Sequence, residues 1–189
     1  MGTDNTLYDE TVKYGYGKLL SSQKPVNVSS VAFALPTPSS AYDSYRFELY
    51  DVRVNTAGAY LMMLFSINGS TWVTANYYWG MTVLSNSTAG CSFYNASGAV
   101  KTSFQLCGAM PTAWGACGEI LFAPRGSWAG GINSLITNNV NGGGVNTIDN
   151  GGVLWDSSGV PISVLFLANN GLLTMGRITL YGLRTGAIV

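Results

Sequence analysis

Tyr42-Asp43-Ser44-Tyr45-Arg46-Phe47-Glu48-Leu49-Tyr50-Asp51-Val52 decides the reading of this chain. Tyr45, Phe47 and Leu49 alternate with Arg46 and Glu48, the period of two that sets one face of a strand against a core and the other against water. A second such segment closes the sequence, Met175-Gly176-Arg177-Ile178-Thr179-Leu180-Tyr181-Gly182-Leu183-Arg184. Between them run short alternating or apolar stretches separated by Gly, Asn and Ser, and nowhere a capped stripe of period 3.6.

Working outward, residues 26–35 read as a first strand stopped by Pro36 and Pro38. Residues 59–67 are almost wholly apolar, as in a strand covered on both faces. Asn68-Gly69 gives a hairpin signal. Residues 72–84 read as a strand pair or one long bent strand, and residues 85–99 as loop. Short strands follow at 102–107 and 119–122, then a polar turn region over 130–150 containing Gly142-Gly143-Gly144. Strands at 152–155, 161–168 and 176–183 complete the set. The expected fold is all-β: an antiparallel β-sandwich, jelly-roll-like, of about 8–10 strands. Residues 1–24 concentrate charge and tyrosine (Tyr8, Tyr14 and Tyr16) and read as a short N-terminal arm for anchoring or subunit contact. Residues 25–189 form the head domain.

Composition narrows function. The 189 residues hold nine basic and nine acidic side chains, no histidine, and 10 % charged residues overall, against roughly 25 % in an average soluble domain. Nucleic-acid binding needs clustered Lys and Arg, and polybasic membrane contact needs the same, so neither is expected. No segment approaches the ~20 apolar residues of a membrane span, and no secretory leader is recognised. Weak self-repulsion suits a chain whose apolar patches are covered by other subunits. Cys91, Cys107 and Cys117 lack metal-ligand spacing, and reduced, buried thiols are expected. No metal and no cofactor is expected.

Without histidine there is no Ser-His-Asp triad and no Cys-His pair. Among the acids, Glu48 and Asp51 fall on opposite faces of one strand, and Asp149 and Asp156 lie in Gly-rich stretches that suit turns. The chain is read as a non-enzyme. Its binding candidates are Tyr78, Trp79 and Trp114, with Asn76 and Asn86 as hydrogen-bonding partners. Aromatic faces pack on the C–H faces of sugars while amides take the hydroxyls. The same rings also suit a core or a subunit interface. Alternation sends Tyr78 and Trp79 to opposite faces unless the strand ends or bulges between them.

In order, the motifs Tyr42-Asp43-Ser44-Tyr45, Tyr60 to Phe65, Ser66-Ile67-Asn68-Gly69, Gly118-Glu119-Ile120 with Trp128, and Gly176-Arg177-Ile178-Thr179-Leu180-Tyr181-Gly182-Leu183 resemble the C-terminal head domain of bacteriophage tail fibres and related virion proteins. The resemblance covers residues 40–184. It implies a virion structural protein, assembled in the host cytoplasm as a homotrimer, that contacts the host surface, with a surface glycan as the expected receptor. Residues 1–24 would then hold other virion proteins. A capsid decoration, head-fibre or connector protein with a purely architectural role is the alternative, because no fibre shaft is evident.

Overall fold

In a computed structural model the described residues are 17–36, 42–75, 77–85, 90–95, 102–123, 128–140, 145–156 and 159–184. They form twelve strands and no helix: β1 (Lys18–Gln23), β2 (Ser30–Ala34), β3 (Ser44–Val54), β4 (Leu61–Ser66), β5 (Tyr77–Ser85), β6 (Gly90–Asn95), β7 (Phe104–Gln105), β8 (Ala116–Phe122), β9 (Trp128–Val140), β10 (Val145–Asp156), β11 (Ser163–Ala168) and β12 (Leu173–Leu183). One sheet runs β1-β12-β3-β8-β9-β10-β5-β6 and the other β2-β11-β4-β7, and every pairing is antiparallel. Set aside the hairpins β5–β6 and β9–β10, and two four-stranded sheets remain, β1-β12-β3-β8 facing β2-β11-β4-β7. That order is a jelly roll, whose successive strands cross between the sheets. The two hairpins extend one of its sheets.

The alternation in β3 is realised residue by residue. Tyr45, Phe47 and Leu49 are buried, and Arg46, Glu48 and Tyr50 face outward. From the other sheet come Phe33 on β2, Leu61, Met63 and Phe65 on β4, and Val164 and Phe166 on β11. Rings weld the layers: Phe47 meets Phe166 at 5.1 Å and Phe33 at 5.5 Å edge-on, while Phe65 stacks on Phe122 at 5.1 Å. Such pairs add about 0.5–1.5 kcal/mol each beyond the area they bury.

The edge of the smaller sheet is completed by a side chain. β7 pairs only with Met62 and Met63. At Phe65 the buried Tyr77 hydroxyl takes over, accepting the Phe65 N–H at 2.8 Å and donating to the Val73 carbonyl at 3.1 Å, while Val73 N–H donates to the Phe65 carbonyl at 2.9 Å. Burial pushes the Tyr77 pKa well above its ordinary 10.0. Tyr77→Phe strands a buried N–H and should destabilise by about 1–3 kcal/mol in chemical denaturation. The phenol also sets an alkaline limit. The unfolded chain releases this proton at about pH 10 while the folded chain keeps it, so stability falls as pH rises above 10. In Tyr77→Phe that part of the alkaline loss disappears.

Several sequence expectations change. The body begins inside the stretch assigned to the arm: Lys18–Gln23 is β1, paired with β12 and tied to it by the Ser22–Thr179 hydroxyl contact at 3.2 Å. Residues 1–16 lie outside the described residues. Asn68-Gly69 is no hairpin, because β4 pairs with β11 and β7 whereas β5 pairs with β10 and β6. Asn68 Oδ1 instead accepts the backbone N–H groups of Ser70 and Thr71 at the point where the chain leaves one sheet for the other. The polar region 130–150 is mostly the long antiparallel pair β9–β10, and 90–95 is a strand where loop was expected.

The motif ending Tyr181-Gly182 has a packing reason. The Tyr42 ring lies on Gly182, where any Cβ would overlap it, and Arg184 sits over the same ring at 5.9 Å. The first and last motifs of the sequence are therefore one contact in space.

Candidate functional site

The outward face of β12, β3 and β8 carries the best-defined candidate. Registers place Arg177 opposite Tyr50, Thr179 opposite Glu48, Tyr181 opposite Arg46, Glu119 opposite Glu48 and Leu121 opposite Arg46. Arg46 is half-buried. It pairs with Glu48 at 3.0 Å and lies over the Tyr181 ring at 4.9 Å. The Tyr181 phenol is held above its usual pKa by partial burial first, then by the Glu48 carboxylate to which it hydrogen-bonds. Arg177 sits over the Tyr50 ring at 5.7 Å. Glu48, Leu49, Tyr50, Gly118, Glu119, Arg177 and Thr179 line an open depression of about 400 Å³.

A bulge shapes one end of this face. At Asp51 the backbone turns to φ 49°, and the β3 register slips against both neighbours. Asp51 holds the kink by its own carboxylate, which accepts Arg53 Nε at 2.9 Å, Arg53 Nη2 at 2.7 Å and the Gly115 N–H at 3.2 Å. The hydrogen bond to Asp51 raises the Arg53 pKa. Asp51 N–H in turn donates to Cys117 Sγ at 3.2 Å. Gly115 and Gly176 press on the Asp51 backbone from either side, leaving no room for a Cβ at either position. The residue before each kink contact is a large exposed apolar side chain: Tyr50 is 66 % exposed, Trp114 50 % and Met175 50 %. Two strands and the β7–β8 loop thus bring three large apolar residues to one rim around the Asp51 kink.

The sequence-derived site disperses. Trp114 is exposed on the β7–β8 loop, at this rim. Tyr78 and Trp79 are successive residues of β5 in unbroken register with Leu154 and Val153, so neither a strand end nor a bulge falls between them. Through Val153 and Ile132, Trp79 is level with Phe122, whereas Trp114 precedes Ala116 at the other end of β8. Those ends are about 20 Å apart at ~3.3 Å per residue. Asn76 and Asn86 lie outside the described residues. Trp72 is half-buried against the core. Asp149 and Asp156 are both on β10 and not in turns. Cys107 is buried and Cys117 partly exposed, both as thiols.

Sequence reasoning missed Tyr50, Glu119 and Arg177. One signal pointed to the rim: Trp114-Gly115 and Met175-Gly176 each set a large apolar residue before a glycine. Among the described residues no three His, Cys, Asp or Glu side chains are grouped to hold a metal ion, and no helix is long and apolar enough to cross a membrane. No protein-family model, curated protein or solved structure matches the chain.

Proposed function

We propose that this chain is a bacteriophage virion structural protein of tail-fibre or tail-tip type, whose jelly-roll head attaches to a host-surface glycan. The observation that carries the reading is the exposed Tyr50 ring lining an open depression with Glu48, Glu119 and Arg177, and the exposed Trp114 next to Gly115, which packs on the Asp51 kink beside Tyr50. Exposed rings of this size are costly to leave in water and suit stacking on sugar C–H faces, while carboxylates and a guanidinium take hydroxyls. The order of motifs from Tyr42 to Leu183 supports placing the chain among virion head domains, working as a homotrimer in the particle. Of the residues first singled out, only Trp114 keeps its role here.

A purely architectural role is favoured by a different observation. Leu19, Val26 and Val28 are exposed together along β1 and the β1–β2 connection, far from the rim in sequence, and would suit a neighbouring virion subunit.

Host-cell adsorption of the purified full chain tests the first reading. Tyr50→Ala combined with Trp114→Ala should weaken adsorption on the order of tenfold or more, as loss of two aromatic anchors does. The melting temperature should stay near that of the parent, because both rings are exposed. Adsorption that survives the double variant removes the rim as the attachment site. A chain that neither adsorbs nor blocks infection leaves the architectural role.

A further inference from the structure

The depression is electrically divided. Of its charged residues, Glu48 is neutralised by Arg46 and hydrogen-bonded by Tyr181. Glu119, exposed on β8, and Arg177, exposed on β12, make no ion pair among the described residues. Arg177 lies over the Tyr50 ring face and makes no ion pair among the described residues, which leaves its fork of N–H donors available. Glu119 stands directly across from Glu48, and like charges so placed are mutually unfavourable. A cation bound beside Glu119 would meet the carboxylate that Arg46 leaves unneutralised.

The two unpaired charges flank β3. Two strand spacings and two residues along the strand separate their Cα atoms, about 12 Å in all at ~4.8 Å between strands and ~3.3 Å per residue. Tyr50 and Glu48 lie between. They form no ion pair with one another, and can each meet a complementary group on one bound ligand.

We infer that the depression selects a glycan carrying both charges, with a free amine received by Glu119 beside Glu48 and an acid group received by Arg177, on neighbouring sugar units that cross Tyr50. This inference rests on the attachment reading and names its ligand class. Opposed unpaired charges discriminate mainly by rejecting the wrong ligand: an all-acidic chain meets Glu119, and an all-basic chain meets Arg177.

The test measures binding of the full chain to three polysaccharide probes: hyaluronan, which has acid groups only; de-N-acetylated hyaluronan, with acid and amine on adjacent units; and chitosan oligomers, which have amines only. The expected result is binding of the de-N-acetylated probe at least roughly tenfold tighter than either other probe, weakening as salt rises. Glu119→Gln should remove the advantage over hyaluronan, and Arg177→Gln the advantage over chitosan. Glu119→Gln is nearly isosteric at an exposed position, so thermal melting confirms that it folds like the parent. Equal binding of the three probes, or preference retained in both folded variants, overturns the inference. If cell adsorption still depends on Tyr50 and Trp114 in that event, the attachment reading stands and only its ligand class is wrong. Absence of any adsorption overturns both.

Discussion

Replacing Gly176 by alanine should destabilise the protein by about 3 kcal/mol or more, from two causes that act together. Its φ of 106° belongs to the region that side chains rarely enter, a conformation that costs a non-glycine residue on the order of 1–3 kcal/mol. A Cβ there would also overlap the Asp51 carbonyl and Val52 Cα, which are backbone atoms and cannot swing aside. Relief requires β12 and β3 to part where Asp51 kinks. The damage is therefore local as well as global. Tyr50, one residue before the kink, and Arg177, one residue after the glycine, should lose their alignment. Denaturant titration of Gly176→Ala checks the stability, and adsorption measured well below its melting temperature checks the site. A variant as stable as the parent would show that the close approach at the bulge is not needed.

The second large effect lies in the core. Phe47→Ala should cost about 3–5 kcal/mol, the range for deleting a fully buried ring from a core that cannot collapse around the space. Phe47 is wholly buried between Phe33 and Phe166, one from each of two strands of the opposite sheet, so neither ring can fill the gap without leaving the other. For a domain of this length that corresponds to a fall in melting temperature of roughly 6–20 °C. Phe47→Leu, which conserves more of the volume, should recover a large part of it. Calorimetry on the two variants distinguishes packing from mere hydrophobicity: equal losses would argue against the ring contacts.

The contrast between β3 and β9 shows how far the sequence carries. In β3 the large apolar residues alternate with charges, and period two admits one reading, which the burial of Tyr45, Phe47 and Leu49 bears out. The all-β sandwich follows from several segments of that kind. β9 and β10 are built largely from Asn, Gly, Ser and Thr, residues that also make turns. Their strand character comes from pairing with each other and with β8 and β5, a long-range cause that local composition does not report. Asn68-Gly69 failed as a hairpin signal for a related reason. Its turn chemistry is real, but the jelly-roll crossing sends the following strand to the other sheet.

The site was legible in part. Trp114 could be singled out because it falls in a polar loop, and it is exposed. Tyr50 could not, since an outward tyrosine on an alternating strand looks like any solvated position. Its partners come from residues 119 and 177, and only register shows that those two flank it. A pair such as Glu48 and Glu119, 71 residues apart in the chain, becomes visible only when the β3–β8 ladder is known.

The position of β12 between β1 and β3 has a bearing on synthesis. Of the twelve strands it is the last to leave the ribosome, yet it fills an internal slot, second from the edge of its sheet. Until then β1 has no neighbour in its sheet, β3 is bonded along one side only, and the hydrophobic faces of Phe47 and Ile120 await a closed layer. Nascent chains must therefore remain open-edged through most of translation, the condition in which strand-rich intermediates aggregate or exchange elements. The attachment surface is completed by the same event, because Arg177 and Thr179 arrive with that strand. A ribosome stalled before residue 173 should hold a chain that is susceptible to protease and unable to bind, and release of the final strand should convert both properties at once.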